Sequence, residues 1–196
     1  ALGSVALAST VVFTILSFII GMNNTTLTVL SQQKGKGNEE GLKRYINAFI
    51  VTLSGLAIVM GLLGVVLAKP ILSLLGTPDS MMTNAVIYLR INAVGIIFLV
   101  GYNFISTAMR AIGDSKTPLR FVALAVLLNI VLDPLFISGF DLGVQGAAIA
   151  TILSQGISCA YGFIHVIRKK LMPIHLPSKP KWKEVKLILN LGIPAG

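Results

Sequence analysis

Charge is what this sequence has least of. Asp, Glu, Lys and Arg make up 12% of its 196 residues, about half the share in an ordinary soluble domain. Acids are the scarcer sign, 7 against 16 basic residues. Cysteine occurs once, at Cys159 within an apolar run, which leaves no disulfide framework and reads as a small core residue. The two histidines, His165 and His175, stand apart and read as surface residues near a membrane interface, so no metal-ligand cluster is visible. No phosphate-binding loop of the G-x-x-x-x-G-K-[ST] kind occurs, since Gly35-Lys36-Gly37 is only a short turn. No Ser-His-acid or Cys-His arrangement is present either. These absences exclude the usual catalytic and metal-dependent classes, and the chain does not read as an enzyme.

What is present is apolar. Hydrophobic residues make up 55% of the chain and mean hydropathy is +0.86. No charged residue occurs in 1–33, 45–68, 91–109 or 142–167. A helix needs roughly 20 apolar residues to cross a ~30 Å hydrocarbon core, and each stretch is near that length or longer. The expected fold class is an all-α membrane protein, a polytopic bundle of transmembrane helices. Helices are expected over 4–31, 43–67, 78–110, 118–138 and 144–168, with a sixth beginning near Trp182. Ala1 opens within an apolar run with no basic region ahead of it, so no signal peptide is read, and the chain is expected to be a fragment of a larger protein.

Turn residues support the breaks. Gly35 to Asn38 ends the first helix, and Lys69-Pro70 and Gly76-Thr77-Pro78-Asp79 bracket a connector, with Thr77 as N-cap and Pro78 in the first helical position. Gly113 to Pro118 repeats that logic, Gly139 to Gly143 makes a tight turn, and Pro173, Pro177 and Pro180 extend the last linker. Every basic residue except Lys69 and Arg90 falls in alternate loops, around 34–44, 110–120 and 168–186. This imbalance predicts those loops to be cytoplasmic and the protein to be a multi-pass protein of the inner (plasma) membrane. It also accounts for the net charge of +9 without nucleic acid as a partner; the expected partner is the lipid bilayer.

Asp133 is the one acid expected within a span. It lies 15 residues after Pro118, about 22 Å along a helix from the basic end. A carboxylate there costs at least ~2.5 kcal/mol on insertion scales and usually faces a cavity or a partner. Asn129 is one turn earlier on the same face. Pro134 follows and is expected to kink or unwind the helix. Asp133 is nine residues before Leu142 and Thr151 nine after it, so a turn there sets both at one depth. Asp133 reads as a protonatable or cation-binding carboxylate, or as a helix cap or structural partner of Arg90. Asn129 and Thr151 read as its neighbours or as ordinary interhelical bonding residues. Tyr88 reads as site-adjacent or as part of an aromatic belt. Arg90 reads as a snorkelling side chain. Asn23, Asn24 and Asn103, with Asn92, Ser106 and Thr107, line a wet cavity or glue helices together. Gly146, Ala150 and Ser154 form a small-residue packing ridge.

Four motifs in order carry a family resemblance. Arg110-Ala111-Ile112-Gly113-Asp114-Ser115-Lys116-Thr117-Pro118 resembles the R-x-x-G-D-[ST]-x-T-P signature of the multidrug and toxic compound extrusion (MATE) family. Asn129 to Asp133 is similar to its N-x-x-x-D element, Gly143 to Thr151 to its G-x-x-G-A-A-x-A-T run, and Ser31 to Asn38 to its S-Q-x-x-G-x-G-[DN] loop.

The resemblance implies most of one six-helix lobe of a two-lobe, inverted-V transporter, prokaryotic in type. Residues 1–170 would belong to the amino-terminal lobe, 171–183 to a cytoplasmic inter-lobe linker, and 184–196 to the start of the carboxy-terminal lobe. It implies a secondary antiporter exporting cationic, amphipathic drugs in exchange for Na+ or H+, with no other cofactor. Asp133, Asn129 and Thr151 would form the cation site, with Na+ possible there and Tyr88 adjacent. Asn23, Asn24 and Asn103 would face the substrate cavity. The implied partners are small organic cations and the rest of its own chain, the full-length protein being monomeric. The family's first-helix acid has no counterpart here. A lipid or oligosaccharide flippase of the same superfamily and a non-transporting membrane scaffold are the rival readings, the scaffold requiring an Asp133–Arg90 pair.

Overall fold

The computed structural model describes residues 2–172 and 180–192, and among residues 2–18 the side chains of Val11 and Ser17 alone. The order is α1 (Leu2–Gly35), α2 (Glu39–Leu74), α3 (Asp79–Ala111), α4 (Lys116–Pro134), a π-helical turn (Leu135–Gly139), α5 (Gly143–Arg168) and α6 (Trp182–Gly192). Strands are absent among the described residues. Of these elements α2, α3, Lys116–Gly139 and α5 are long and apolar enough to cross a membrane. Their outward faces are those of lipid-facing helices: Leu62, Val66, Leu127 and Ile130 are 63%, 68%, 63% and 63% exposed, a surface no soluble domain leaves to water.

α3 is the central post. It packs on α1, α2 and α5, α4 leans on α5, and α6 lies against α1 and α2. Close approach depends on small residues. A Cβ on Gly61 or Gly64 would meet Ala93, and one on Gly146 would stand 2.6 Å from the Phe136 carbonyl. Gly146, Ala150 and Ser154 are buried along that side of α5. The main core joins Phe49, Phe104, Met109, Phe121 and Ile188, and a second one joins Ala68, Leu72, Ala85 and Leu89 near the α2–α3 turn.

Several local expectations are corrected. Lys69-Pro70 is no connector: α2 runs through Pro70 to Leu74. The proline removes one backbone bond, to Val66, and the packing of Ala68 and Leu72 on α3 holds the helix across that gap. α4 ends as an α-helix at Pro134, as a proline there predicts, but the chain does not lose its helix. Pro134 keeps helical angles (φ −63°, ψ −33°) and the chain widens into the π turn, with Phe140 N–H donating to the Leu135 carbonyl. Asp141 and Gly143 then take positive φ to reverse the chain. α3 begins at Asp79, one residue later than expected, with extended Pro78 as its cap, and the Thr77 hydroxyl is buried without a partner. His165 is no plain surface residue, since its ring packs against Phe121 and Tyr161. His175 and Pro173 to Lys179 lie outside the described residues.

α4 begins at Lys116 rather than Pro118, and Asp114 supplies the cap. Its Oδ1 accepts the backbone N–H groups of Lys116 and Thr117 at 3.0 Å, and its Oδ2 accepts the Thr117 hydroxyl at 2.6 Å. These bonds, the Thr117 hydroxyl foremost, hold the Asp114 carboxyl below its ordinary value of 3.8. A carboxylate depressed in the folded state stabilises above its unfolded pKa, and that stabilisation fades as pH falls through the folded one. Asp114→Ala is expected to cost about 0.5 kcal/mol at pH 7, the low end of the capping range because water screens the group. The measurement is thermal unfolding in detergent. The gap from the unmodified protein should narrow below pH 3.8, and a gap that stays constant to pH 3 would refute this role.

Candidate ion site between the fourth and fifth helices

The helical repeat places Asn129 and Asp133 one turn apart on α4, and the π turn with the reversal at 140–143 folds α5 back beside them. Asn129 Nδ2 donates to Asp133 Oδ1 at 3.2 Å and to the Thr151 hydroxyl oxygen at 3.4 Å. Thr151 spends its own hydroxyl proton on the Ala147 carbonyl at 2.9 Å, so a lone pair faces Asn129. All three residues are half-buried. The close seat of Gly146 on the Phe136 carbonyl sets α5 near enough for this contact. One carboxylate oxygen and one hydroxyl oxygen thus converge on a single amide donor, two acceptors around one positive end.

Tyr88 reaches the cluster indirectly. With Asn92, Thr151 and Gln155 it lines a cavity of about 210 Å³ between α3 and α5, walled further by Leu89, Ile96 and Leu99. Thr151 belongs to both cluster and cavity. Asn92 is held by its own helix, donating to the Tyr88 carbonyl at 2.8 Å. The sequence reading passes over Gln155, although its place one turn after Thr151 is the signal for a shared face.

The three asparagines expected at the substrate cavity lie elsewhere. Asn23 donates to Asn103 Oδ1 at 3.4 Å between α1 and α3, and Asn103 donates to the Leu99 carbonyl at 2.8 Å. Asn103 is 15 residues beyond Tyr88, about 22 Å along the helix, so this contact and the Asn129–Asp133–Thr151 cluster are separate. Asn24 is exposed and its side chain joins neither. Arg90 does not meet Asp133, because its Nε donates to the Val65 carbonyl of α2 at 3.1 Å. The scaffold reading loses its required pair. Among the described residues the ion pair formed is Arg44–Glu184, at 3.6 Å, between the start of α2 and the first turn of α6. Sequence patterns give no hint of it, since the two residues are 140 positions apart.

Comparison with known proteins places this geometry. The MatE family model matches residues 1–135. The probable multidrug resistance protein YpnP of Bacillus subtilis (strain 168) is 60% identical over 196 residues, 100% of this chain and 44% of that protein. The multidrug export protein MepA of Staphylococcus aureus (strain MRSA252) is 27% identical over 158 residues, 78% of this chain and 34% of that one. A solved structure of MATE in complex with MaD3S superposes with TM-score 0.90 at 26% identity, over 99% of this chain and 44% of that one. An outward-facing multidrug resistance MATE family transporter of the MOP superfamily gives TM-score 0.89. The chain spans less than half the length of these relatives.

Proposed function

This chain belongs to the MatE family, a family of transporters rather than enzymes, and we propose that it is the ion-coupling lobe of a secondary antiporter that exports cationic, amphipathic compounds in exchange for Na+ or H+. The reading includes a second lobe that begins at residue 184, within α6, and basic loops that face the cytoplasm. The observation that carries it is the convergence of Asp133 and Thr151 on the Asn129 amide. A carboxylate within a span is retained where it does work. Here its partner is a neutral amide, not a basic residue, so its charge is not already spent.

The chemistry follows from the bonds. Without a bound cation, the Asn129 N–H group supplies the positive end that both oxygens require. A cation entering between them takes over that position, and the amide turns to offer Oδ1, giving three side-chain oxygens. A proton does the same work on Asp133 alone. Proton and metal ion therefore compete for one carboxylate. Thr151 borders both the cluster and the 210 Å³ space, so occupancy at Asp133 changes the electrostatic field beside that space and gives the ion a route to influence what it accepts. The names of the relatives at 60% and 27% identity, multidrug resistance and multidrug export, support the choice of cargo.

The test uses the full-length transporter in sealed vesicles loaded with a lipophilic fluorescent cation. An imposed Na+ or proton gradient is expected to drive its movement against its own gradient, with one of the two ions sufficient. Movement indifferent to both gradients would overturn the antiport reading.

A further inference from the structure

Lys69 and Arg90 are the two basic residues at the end of the bundle away from the lysine-rich loops, and the ion cluster uses neither. Around α3, at about 100° per residue, Arg90 stands roughly 160–200° from Tyr88 and Asn92; it therefore faces away from the cavity and toward α2. Its guanidinium is fixed by the Nε bond to the Val65 carbonyl, and its side chain is exposed. Lys69 lies one turn beyond Val65, the direction in which the helical carbonyl points, and is exposed on the same rim. The surface around this pair is apolar: Ile58, Leu62, Val66 and Val94 are 50%, 63%, 68% and 62% exposed. Two cations thus sit on a lipid-type face. Among the described residues no carboxylate pairs with either. Asp79 shares the Arg90 side of α3 but lies three turns away, about 16 Å.

Depth decides what reaches them. The 36 residues of α2 span about 54 Å, so each end projects about 12 Å beyond a ~30 Å hydrocarbon core. Lys69 lies about 8 Å below the end of α2, and Arg90 about 16 Å below the start of α3. A helical side chain points back toward its own N-terminus, so the guanidinium rises from that depth toward the turn. Both charges reach the boundary between acyl chains and headgroups. A guanidinium with its Nε already engaged still offers its two terminal nitrogens as a fork, which fits phosphate.

The geometry points to a binding site for the phosphate of an anionic phospholipid, held between Lys69 and Arg90 in the leaflet opposite the basic loops. Its acyl chains lie along the Ile58–Leu62–Val66 face of α2. The site does not depend on the coupling reading and survives its failure.

The experiment is native mass spectrometry of the full-length protein in mild detergent, titrated with phosphatidylglycerol or with phosphatidylcholine. The basic loops bind acidic lipid too, so the readout is the difference between the unmodified protein and Lys69→Gln/Arg90→Gln. The double variant is expected to hold one phosphatidylglycerol fewer, and each single substitution to weaken that lipid about fivefold. Phosphatidylcholine should show no difference between the proteins. Arg90→Lys keeps the charge without the fork and should bind between the two extremes. Lys69→Gln removes no hydrogen bond seen in the structure and therefore reports even where the Arg90 variants fold poorly. Equal phosphatidylglycerol retention by the Lys69→Gln and unmodified proteins would overturn the site. Displacement of the lipid by millimolar inorganic phosphate would mark a free-anion site instead and overturn the lipid assignment.

Discussion

Asp133→Asn in the full-length transporter is expected to reduce ion-driven efflux to the leak rate while the protein still accumulates in the membrane. The substitution keeps size and shape and takes away one charge. Asn129 loses a charged acceptor at 3.2 Å but keeps an amide oxygen in its place, so the α4–α5 contact survives. Thr151 still faces Asn129, and Gly146 still seats on Phe136. What disappears is the charge to which we assign cation or proton binding. Removing one partner of a desolvated charge pair costs about 2–5 kcal/mol, and at 1.4 kcal/mol per decade that is roughly 30-fold or more in ion affinity. Asp133→Glu, with the charge restored one methylene further out, is expected to recover part of the transport. Asn129→Ala should weaken ion dependence less than Asp133→Asn, because it removes an orienting neighbour and leaves the charge. The measurement is initial efflux rate against ion concentration, normalised to protein in the membrane. Unimpaired efflux by Asp133→Asn would refute the role given to this carboxylate.

The meeting of Asn129, Asp133 and Thr151 was legible for a reason that applies to few positions. Helical spacing puts Asn129 and Asp133 on one face whatever surrounds them, and a reversal near Leu142 makes equal counts along α4 and α5 equal depths. Both arguments use only geometry internal to a helix or a hairpin. The charge-free stretches were legible for a similar reason, since lipid forbids charge along a whole span. The errors fall where packing decides. A proline reads as a break, yet contacts with α3 carry α2 through Pro70. Pro134 reads as a kink or an unwinding, and the α-helix does end there, but the chain stays helical in a wider π turn. Gly113 to Pro118 marks a helix start, but which of Asp114, Ser115 and Thr117 caps it depends on side-chain rotation, and Asp114 wins with two backbone N–H groups and a hydroxyl. Asn23 and Asn103 meet across 80 positions, and Arg44 and Glu184 across 140. No local pattern encodes such distances.

That last pair yields the other large expected effect. Glu184 is 7% exposed. Its Oε1 lies 3.6 Å from Arg44 Nε, and its Oε2 accepts the Lys181 backbone N–H at 3.3 Å. The carboxylate therefore ties the start of α6 to the base of α2, while Ile188 enters the main core one turn on. Glu184→Lys sets a second cation against Arg44 in a place with little water. Breaking a buried pair by losing one partner costs about 3–5 kcal/mol. The Arg44 side chain is 45% exposed, so solvent screening lowers the expected figure to about 1–3 kcal/mol. At 1.4 kcal/mol per decade that is roughly 5- to 150-fold in the fraction of molecules with α6 released. Ile188→Cys offers a direct reading, since Ile188 is 0% exposed when α6 is seated. Maleimide labelling of that cysteine should be slow in the otherwise unmodified protein and rise by about that factor with Glu184→Lys. The swap Arg44→Glu/Glu184→Lys restores opposite charges and should bring labelling most of the way back, a recovery that a merely local packing defect would not show. Labelling that is equally slow in all three backgrounds would mean that α6 is held by its apolar face alone and that the ion pair contributes nothing to its seating.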